Sequence, residues 1–196
     1  MSIGLRGLAL LAGGACLFGA SSSHADDYPT RKFGAWTVSV SNDGKGCFVT
    51  RTYDGPGDTT LLLGLDTDAS NRLTLLNANW SIKPKDQPRL TFRLSNASFP
   101  RHLAVGIAAD GKQGFVTSFG ETFPDTFAAS KSLKIARGDI PVEDLALDGS
   151  GGAITELRKC VTALRDKPPV AKPRDGKNRI PLDPFAPDAA RKKSDD

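Results

Sequence analysis

Apolar and polar residues alternate along most of the first three quarters of the chain, the period of a strand that buries one face. In AWTVSVS the alternation sets Trp36, Val38 and Val40 on one side. The same reading extends to CFVTRTY, TTLLLGL, RLTLLNANWSI, RLTFRLS, HLAVGIA, GFVTSF and SLKIA. Stretches rich in Gly, Asp, Asn and Pro part these segments at short spacings: NDGKG, DGPGD, DTDASN, KPKDQP, NASFPR and ADGKQ. Many short strands joined by tight turns predict an all-β fold, a mainly antiparallel sandwich or barrel over residues 32–147. A parallel sheet would need long helical crossovers, and the pattern has no room for them.

The period changes once. After Ser150, a suitable N-cap, Ile154, Leu157, Cys160, Val161 and Leu164 recur at spacings of three and four. They predict one C-terminal helix over about residues 151–165, with Cys160 in its apolar stripe. The expected core comprises Trp36, Val38, Val40, Phe48, Leu61, Leu63, Leu76, Trp80, Leu90, Phe92, Val105, Ile107, Phe115, Val116, Ile154, Leu157, Val161 and Leu164.

Both ends of the chain read differently. Residues 1–25 have one cation, Arg6, then the apolar stretch GLALLAGGACLFGA and the small-residue ending S-H-A. This is the pattern of a secretory signal peptide cleaved after Ala25, which implies a periplasmic or secreted protein. Lipidation at Cys16 is the competing reading, and Gly13 stands where such sites want a larger apolar residue. No apolar run reaches the roughly 18 residues of a spanning helix, so the mature chain is expected to have no transmembrane span. Residues 166–196 hold six Pro, eight Lys or Arg and six Asp, a composition that predicts a disordered tail. Its one apolar island is Ile180, Leu182 and Phe185, set between prolines. The domain proper is thus expected over residues 26–165.

The formal net charge is +4, and much of the excess sits in that tail. A nearly neutral body argues against a nucleic-acid surface. Of three cysteines, export would remove Cys16 and leave Cys47 and Cys160, an even pair in an oxidising compartment. Their expected disulfide staples the last helix to an early strand.

Candidate chemistry is sparse. In DGSGG, Asp148 occupies the place two residues before Ser150 where a nucleophile elbow needs Gly, so the segment reads as a helix-capping turn. His102 is the only imidazole left after the signal peptide, too few for a typical zinc site. Asp66, Asp68 and Ser70 begin like a calcium loop, but Asn71 and Asn77 replace its Gly and Glu, and a polar hairpin turn is the better reading. No cofactor, metal or catalytic residue is therefore expected. Aromatics gather in FVTSFGETFPDTF, where Phe115, Phe119, Phe123 and Phe127 recur every four residues, while Gly120 and Pro124 argue against a helix there. Two readings stay open: core or loop-anchoring rings, or an exposed recognition surface of Phe119 and Phe123 beside Arg101 and His102.

The opening KFGAWTVSV, with Phe33, Gly34, Trp36 and Val38, resembles the F-G-x-W-x-V element of the invasion-associated locus B family of bacterial exported proteins. The stretch from Leu145 to Cys160 looks like the ending of many uncharacterised exported proteins. The first resemblance implies a small β-rich protein without known catalytic activity and linked to host-cell invasion; it supplies no catalytic residue. A looser likeness, to small β-barrel inhibitors of secreted metalloproteases, would make Asp26–Arg31 a free inhibitory arm. The expected function is a non-enzymatic exported envelope or secreted binding and accessory protein, with a protein or glycan partner. The alternatives are a periplasmic protease inhibitor and an enzyme of unrecognised class.

Overall fold

The structure, a computed structural model, describes residues 28–166. The signal-peptide pattern with its cleavage site, Cys16, Asp26, Asp27 and nearly all of the expected tail lie outside the described residues. Within them the chain forms β1 (Arg31–Phe33), β2 (Trp36–Val40), β3 (Gly46–Tyr53), β4 (Thr59–Asp66), β5 (Asn71–Asn77), β6 (Arg89–Leu94), β7 (Ala97–Leu103), β8 (Val105–Ala109), β9 (Lys112–Thr117), α1 (Phe123–Ala128), β10 (Ser132–Arg137), β11 (Ile140–Ala146) and α2 (Ser150–Arg165). Seven strands make one sheet in the order β1-β2-β3-β4-β5-β9-β8, and four make a second in the order β11-β10-β6-β7. Every pairing is antiparallel. Neither sheet closes on itself, so of the two architectures expected the protein is the sandwich.

The alternation does what the sequence implied on the inner face of the large sheet. Trp36 and Val38 from β2, Cys47 and Val49 from β3, Leu61 and Leu63 from β4, Leu73 and Leu75 from β5 and Phe115 from β9 are all buried. Leu90, Phe92 and Leu94 of β6 and Leu133 and Ile135 of β10 face them from the small sheet in one continuous core. Phe48, Val105, Ile107 and Val116, expected inside, lie on the opposite face of their strands, and Val105 is 38% exposed. Side chains one position apart in a strand point to opposite faces, so Cys47 and Val49 facing in force Phe48 out. Val40, Trp80 and Leu164 are half-buried.

Several boundaries depart from expectation. NASFPR, read as a turn, supplies most of β7, because Ser95 and Asn96 alone turn the β6–β7 hairpin and Pro100 sits beside a register shift. That irregularity carries Arg101 at φ +52°, a conformation rare outside glycine. HLAVGIA divides at the buried Ala104, where the chain leaves one sheet for the other. IPVEDLA, not anticipated as a strand, is β11, returned by a two-residue turn at Gly138 and Asp139. α1 forms where Pro124 argued against a helix, since proline in the first turn forfeits no intrahelical hydrogen bond. The N-cap of α2 is Gly149, with a left-handed φ of +79°, rather than Ser150, which is the first helical residue and buried.

α2 lays Ala153, Ile154, Leu157, Cys160 and Val161 onto the part of the large sheet formed by β2, β3 and β4. Cys160 is bonded to Cys47 there, with Cα atoms 6.2 Å apart and 113 residues between them in sequence. The expected disulfide therefore joins the expected elements. The amino-terminal side is tied to the same helix. The Tyr28 hydroxyl donates to the buried Glu156 carboxylate, Arg31 reaches it at 3.1 Å and Lys159 at 3.3 Å, and β1 pairs with β2. Residues 28–33 are thus built into the domain, which corrects the expectation of a free arm reaching Arg31. The Tyr28 hydrogen bond, with the two cations, holds the Glu156 carboxyl below its ordinary range. Burial is the first cause that pushes the Tyr28 phenol up, and it pushes the Tyr53 phenol up to about 12.

Two outcomes follow from this docking. Replacing Cys47 and Cys160 together by Ala should cost about 2–5 kcal/mol, because the bridge no longer restricts a loop of more than a hundred residues in the unfolded chain; urea unfolding of oxidised wild type against the double variant measures it. A depressed carboxyl stabilises the fold above its unfolded pKa, about 4.3, and that contribution is lost as pH falls through the lower folded value. The stability advantage of wild type over Glu156→Gln should accordingly be constant from pH 7 to about 5 and shrink below about pH 4. A difference that does not change with pH would show that Glu156 acts by shape alone.

Candidate functional site

The four residues expected to form a recognition surface are brought close, but not as a surface. Phe119 stacks in parallel on Phe123 at 3.8 Å between ring centroids, and His102 stacks on the other side of Phe119 at 4.4 Å. Phe99 meets Phe119 edge-on at 4.9 Å and Phe92 meets it at 5.3 Å. The column continues inward through Phe127 to Trp36. Phe123 is 1% exposed, which corrects its place in an exposed loop, whereas Phe119 and His102 are half-buried. A His102 ring nitrogen lies 2.8 Å from the Ser118 carbonyl, which fixes the ring over Phe119. Only Arg101 is fully at the surface, and its backbone N–H is used by the Thr91 hydroxyl. The four-residue spacing of the phenylalanines comes from strand β9, a loop and α1 feeding one aromatic column; it is not one helical stripe.

Other residues weighed for chemistry hold structural positions. Ser150 is buried with its hydroxyl toward the Phe127 carbonyl at 3.4 Å. Asp66 pairs with Arg72 at 2.6 Å and Asp68 accepts the Ser70 backbone N–H at 2.9 Å, so this loop spends its carboxylates on its own turn.

The concave feature with the chemistry of a binding site lies elsewhere, at the end of the sandwich where β5 has finished and β11 begins. It is a cleft of about 640 Å³, within the range of small-molecule and peptide-side-chain sites. One wall carries Trp80, stacked in parallel on Phe115 at 5.7 Å, with Ile82 and Leu90 beside it. The other wall is the first part of β11: Ile140, Pro141 and Val142. Ile140 is 58% exposed at the lip, the most exposed large apolar side chain of the described residues. Polar groups punctuate the rim: Asn79, Ser81, Asp86, Gln87 and Arg137. Arg137 forms no ion pair among the described residues.

The Trp80 wall is fixed from both sides. Asn77, buried at the end of β5, accepts the Asn79 backbone N–H at 2.7 Å and donates to the Pro56 carbonyl and the Thr59 hydroxyl. That side-chain turn ends the strand and launches the Trp80 segment. Farther along, Lys85 N–H donates to the Gly106 carbonyl and Gly106 N–H to the Asp86 carbonyl, so the loop closes the free edge of β8. Gly106 is required at this approach, since a Cβ there would lie 2.0 Å from the Lys83 carbonyl oxygen. Sequence reading missed the cleft because its residues are distributed over three distant segments and Trp80 looked like one more core position. The available signal was the run NANWSIKPKDQP, where an aromatic residue interrupts a polar, turn-rich stretch.

No protein-family model matches the chain, and no curated relative is found by sequence. Among solved structures, the crystal structure of invasion associated protein B from Bartonella henselae superposes with a TM-score of 0.51 at 16% identity, covering 71% of this chain and 100% of that one. The two proteins share a fold. This agrees with the resemblance carried by Phe33, Gly34, Trp36 and Val38, and the structure gives those residues a fold-building role. Trp36 is fully buried, with its indole N–H donated to the Asp148 carbonyl at 2.8 Å. Among the described residues no helix is long and apolar enough to cross a membrane.

The ring column and the cleft separate in a stability measurement. Phe123→Ala should destabilise by about 3–5 kcal/mol, the cost of a large buried ring. Trp80→Ala should cost less, because one side of that indole already faces the cleft. Urea midpoints of the two variants make the comparison, and a Phe123→Ala protein as stable as wild type would return Phe123 to the surface.

Proposed function

We propose that this chain is an exported, non-enzymatic binding or envelope-accessory protein, and that it recognises its partner through the Trp80 cleft. The carrying observation is that cleft: apolar walls, a rim of amide and hydroxyl groups with one carboxylate, Asp86, and one guanidinium, Arg137, that forms no ion pair among the described residues, and a backbone already locked in place. Such sites hold a ligand by burying an apolar part and orienting it with few polar contacts. Export is supported by the pattern of residues 1–25 and by a disulfide that an oxidising compartment favours. A binding role, as opposed to catalysis, is supported by the employment of His102 in stacking and of Ser150 in helix packing, which leaves neither poised as base or nucleophile. The protease-inhibitor reading loses its arm, since Tyr28 and Arg31 are engaged with Glu156.

Capture of envelope components with the mature protein tests the reading. Trp80→Ala and Ile140→Asp should each abolish retention of a partner that Lys134→Ala retains, whereas loss in Phe119→Ala alone would move recognition to the loops around the ring column. Mass spectrometry of the natural protein should find Asp26 at the amino terminus and the protein outside the cytoplasm; full-length cytoplasmic protein would overturn the export half of the reading.

A further inference from the structure

We propose that the Trp80 cleft is a peptide groove whose resident ligand is the apolar island of this chain's own carboxy-terminal region, residues 179–185, Arg-Ile-Pro-Leu-Asp-Pro-Phe. The inference rests on the reading of the cleft as the binding site and names its occupant.

The chemistry is complementary. An aromatic platform bordered by amide and hydroxyl groups suits a proline-containing segment, whose rings pack on the aromatic face and whose carbonyls, left without internal hydrogen bonds, accept from side-chain donors. Trp80 and Phe115 supply the platform, and Asn79, Ser81 and Gln87 supply the donors. Ile180, Leu182 and Phe185 supply apolar side chains for the space between Trp80 and Ile140. The segment carries one cation, Arg179, and one anion, Asp183; the cleft carries one anion, Asp86, and one cation, Arg137. No seven-residue stretch of the tail outside this island carries three large apolar side chains among its prolines.

The tether is long enough. Arg165, at the end of α2, donates to the Thr67 carbonyl at one end of the β4–β5 hairpin, and the cleft opens beyond the other end, after Asn77. Strand β5 covers seven residues, about 23 Å. Residues 167–179 are thirteen in number and can span up to about 43–47 Å. A ligand held by so short a tether is present at an effective concentration in the millimolar range, so even a weak groove would be largely occupied.

The test uses the full mature chain. Trp36 is fully buried, so acrylamide quenching of tryptophan fluorescence reads Trp80. Leu182→Asp together with Phe185→Asp should raise the quenching constant about twofold and shift emission to the red; no change overturns the proposal. A labelled synthetic peptide of residues 177–188 should bind this double variant at least about threefold more tightly than wild type, whose groove its own tail contests. Binding should be lost in the variant that also carries Trp80→Ala, and Arg137→Glu should weaken it about fivefold, with recovery by a peptide carrying Asp183→Lys. Failure of the peptide to bind the vacated groove, or binding that ignores Trp80 and Arg137, overturns the proposal. Protection of Trp80 from acrylamide by neutral oligosaccharides with no response to the peptide would overturn the proposal and make the cleft a glycan site; retention of an envelope partner through Trp80 without any effect of the tail variants would leave the binding function standing and remove the tail as its ligand. Dependence of quenching on protein concentration would assign the occupant to a second copy in place of the same chain.

Discussion

The fold depends on how the inner face of a seven-stranded sheet is covered when its partner sheet has only four strands. The small sheet meets the large one through contacts such as Phe92 on Phe115 and the Thr59 hydroxyl on Glu143. It leaves β2, β3 and β4 to be covered by α2, whose apolar stripe is narrow and whose first turn has no acidic residue to favour it. Propensity and capping alone would hold such a helix weakly. The bridge from Cys160 to Cys47 and the buried Glu156 with its three partners hold it instead. At the seam between the small sheet and the helix stand Trp36, Arg51 and Tyr53. Arg51 lies over both rings, and Arg51 and Tyr53 donate to the Ala146 carbonyl at the end of β11. Remove the helix and part of the inner face of β2, β3 and β4 would face water along one side of the sandwich.

This division explains what could be read from the sequence. A strand packed on one side writes its inner face as alternation, so β2 to β6 and β9 were legible, and a helix packed on one side writes spacings of three and four, so α2 was legible too. The Cys pair followed from compartment and count. β7 and β11 were not legible, because an edge strand with one solvated face tolerates Pro100, Pro141, Arg101 and Asp144, residues that elsewhere signal turns. α1 was hidden for a related reason: Pro124 means opposite things in the first turn of a helix and in its middle. The family-like motif at Phe33 to Val38 pointed to the right fold because Trp36 builds the seam, and for the same reason it carries no information about what the protein binds.

The ring column and the cleft were harder to separate in sequence, since both are made of aromatic residues next to Gly and Pro. What separates them is the pair of inward-facing asparagines at the two ends of β5. Asn71 donates to the Phe119 and Gly120 carbonyls and receives the Phe119 backbone N–H, which draws that loop inward and seats Phe119 between His102 and Phe123. Asn77 organises a turn that sends the chain outward, so Trp80 emerges with one side on Phe115 and the other toward the cleft. Asn71 reads as a turn residue in sequence and Asn77 as part of a longer strand, and both are buried with their amides satisfied, the condition under which a polar group inside a core is stabilising.

A binding reading gains force from how little the cleft would have to reorganise. Association commonly costs about 0.5–1.5 kcal/mol for each long side chain it immobilises and more when a loop must order. Here Trp80 is already stacked, the loop behind it is hydrogen-bonded to β8 through Gly106, and Ile140 to Val142 belong to a paired strand. The side chains left to order on binding are those of the rim, chiefly Arg137 and Gln87. A site so arranged derives affinity from modest contact area and specificity from its rim. An exposed Ile140 beside an apolar cleft also invites non-specific contacts, a hazard that occupancy of the groove by an apolar segment answers without altering the core.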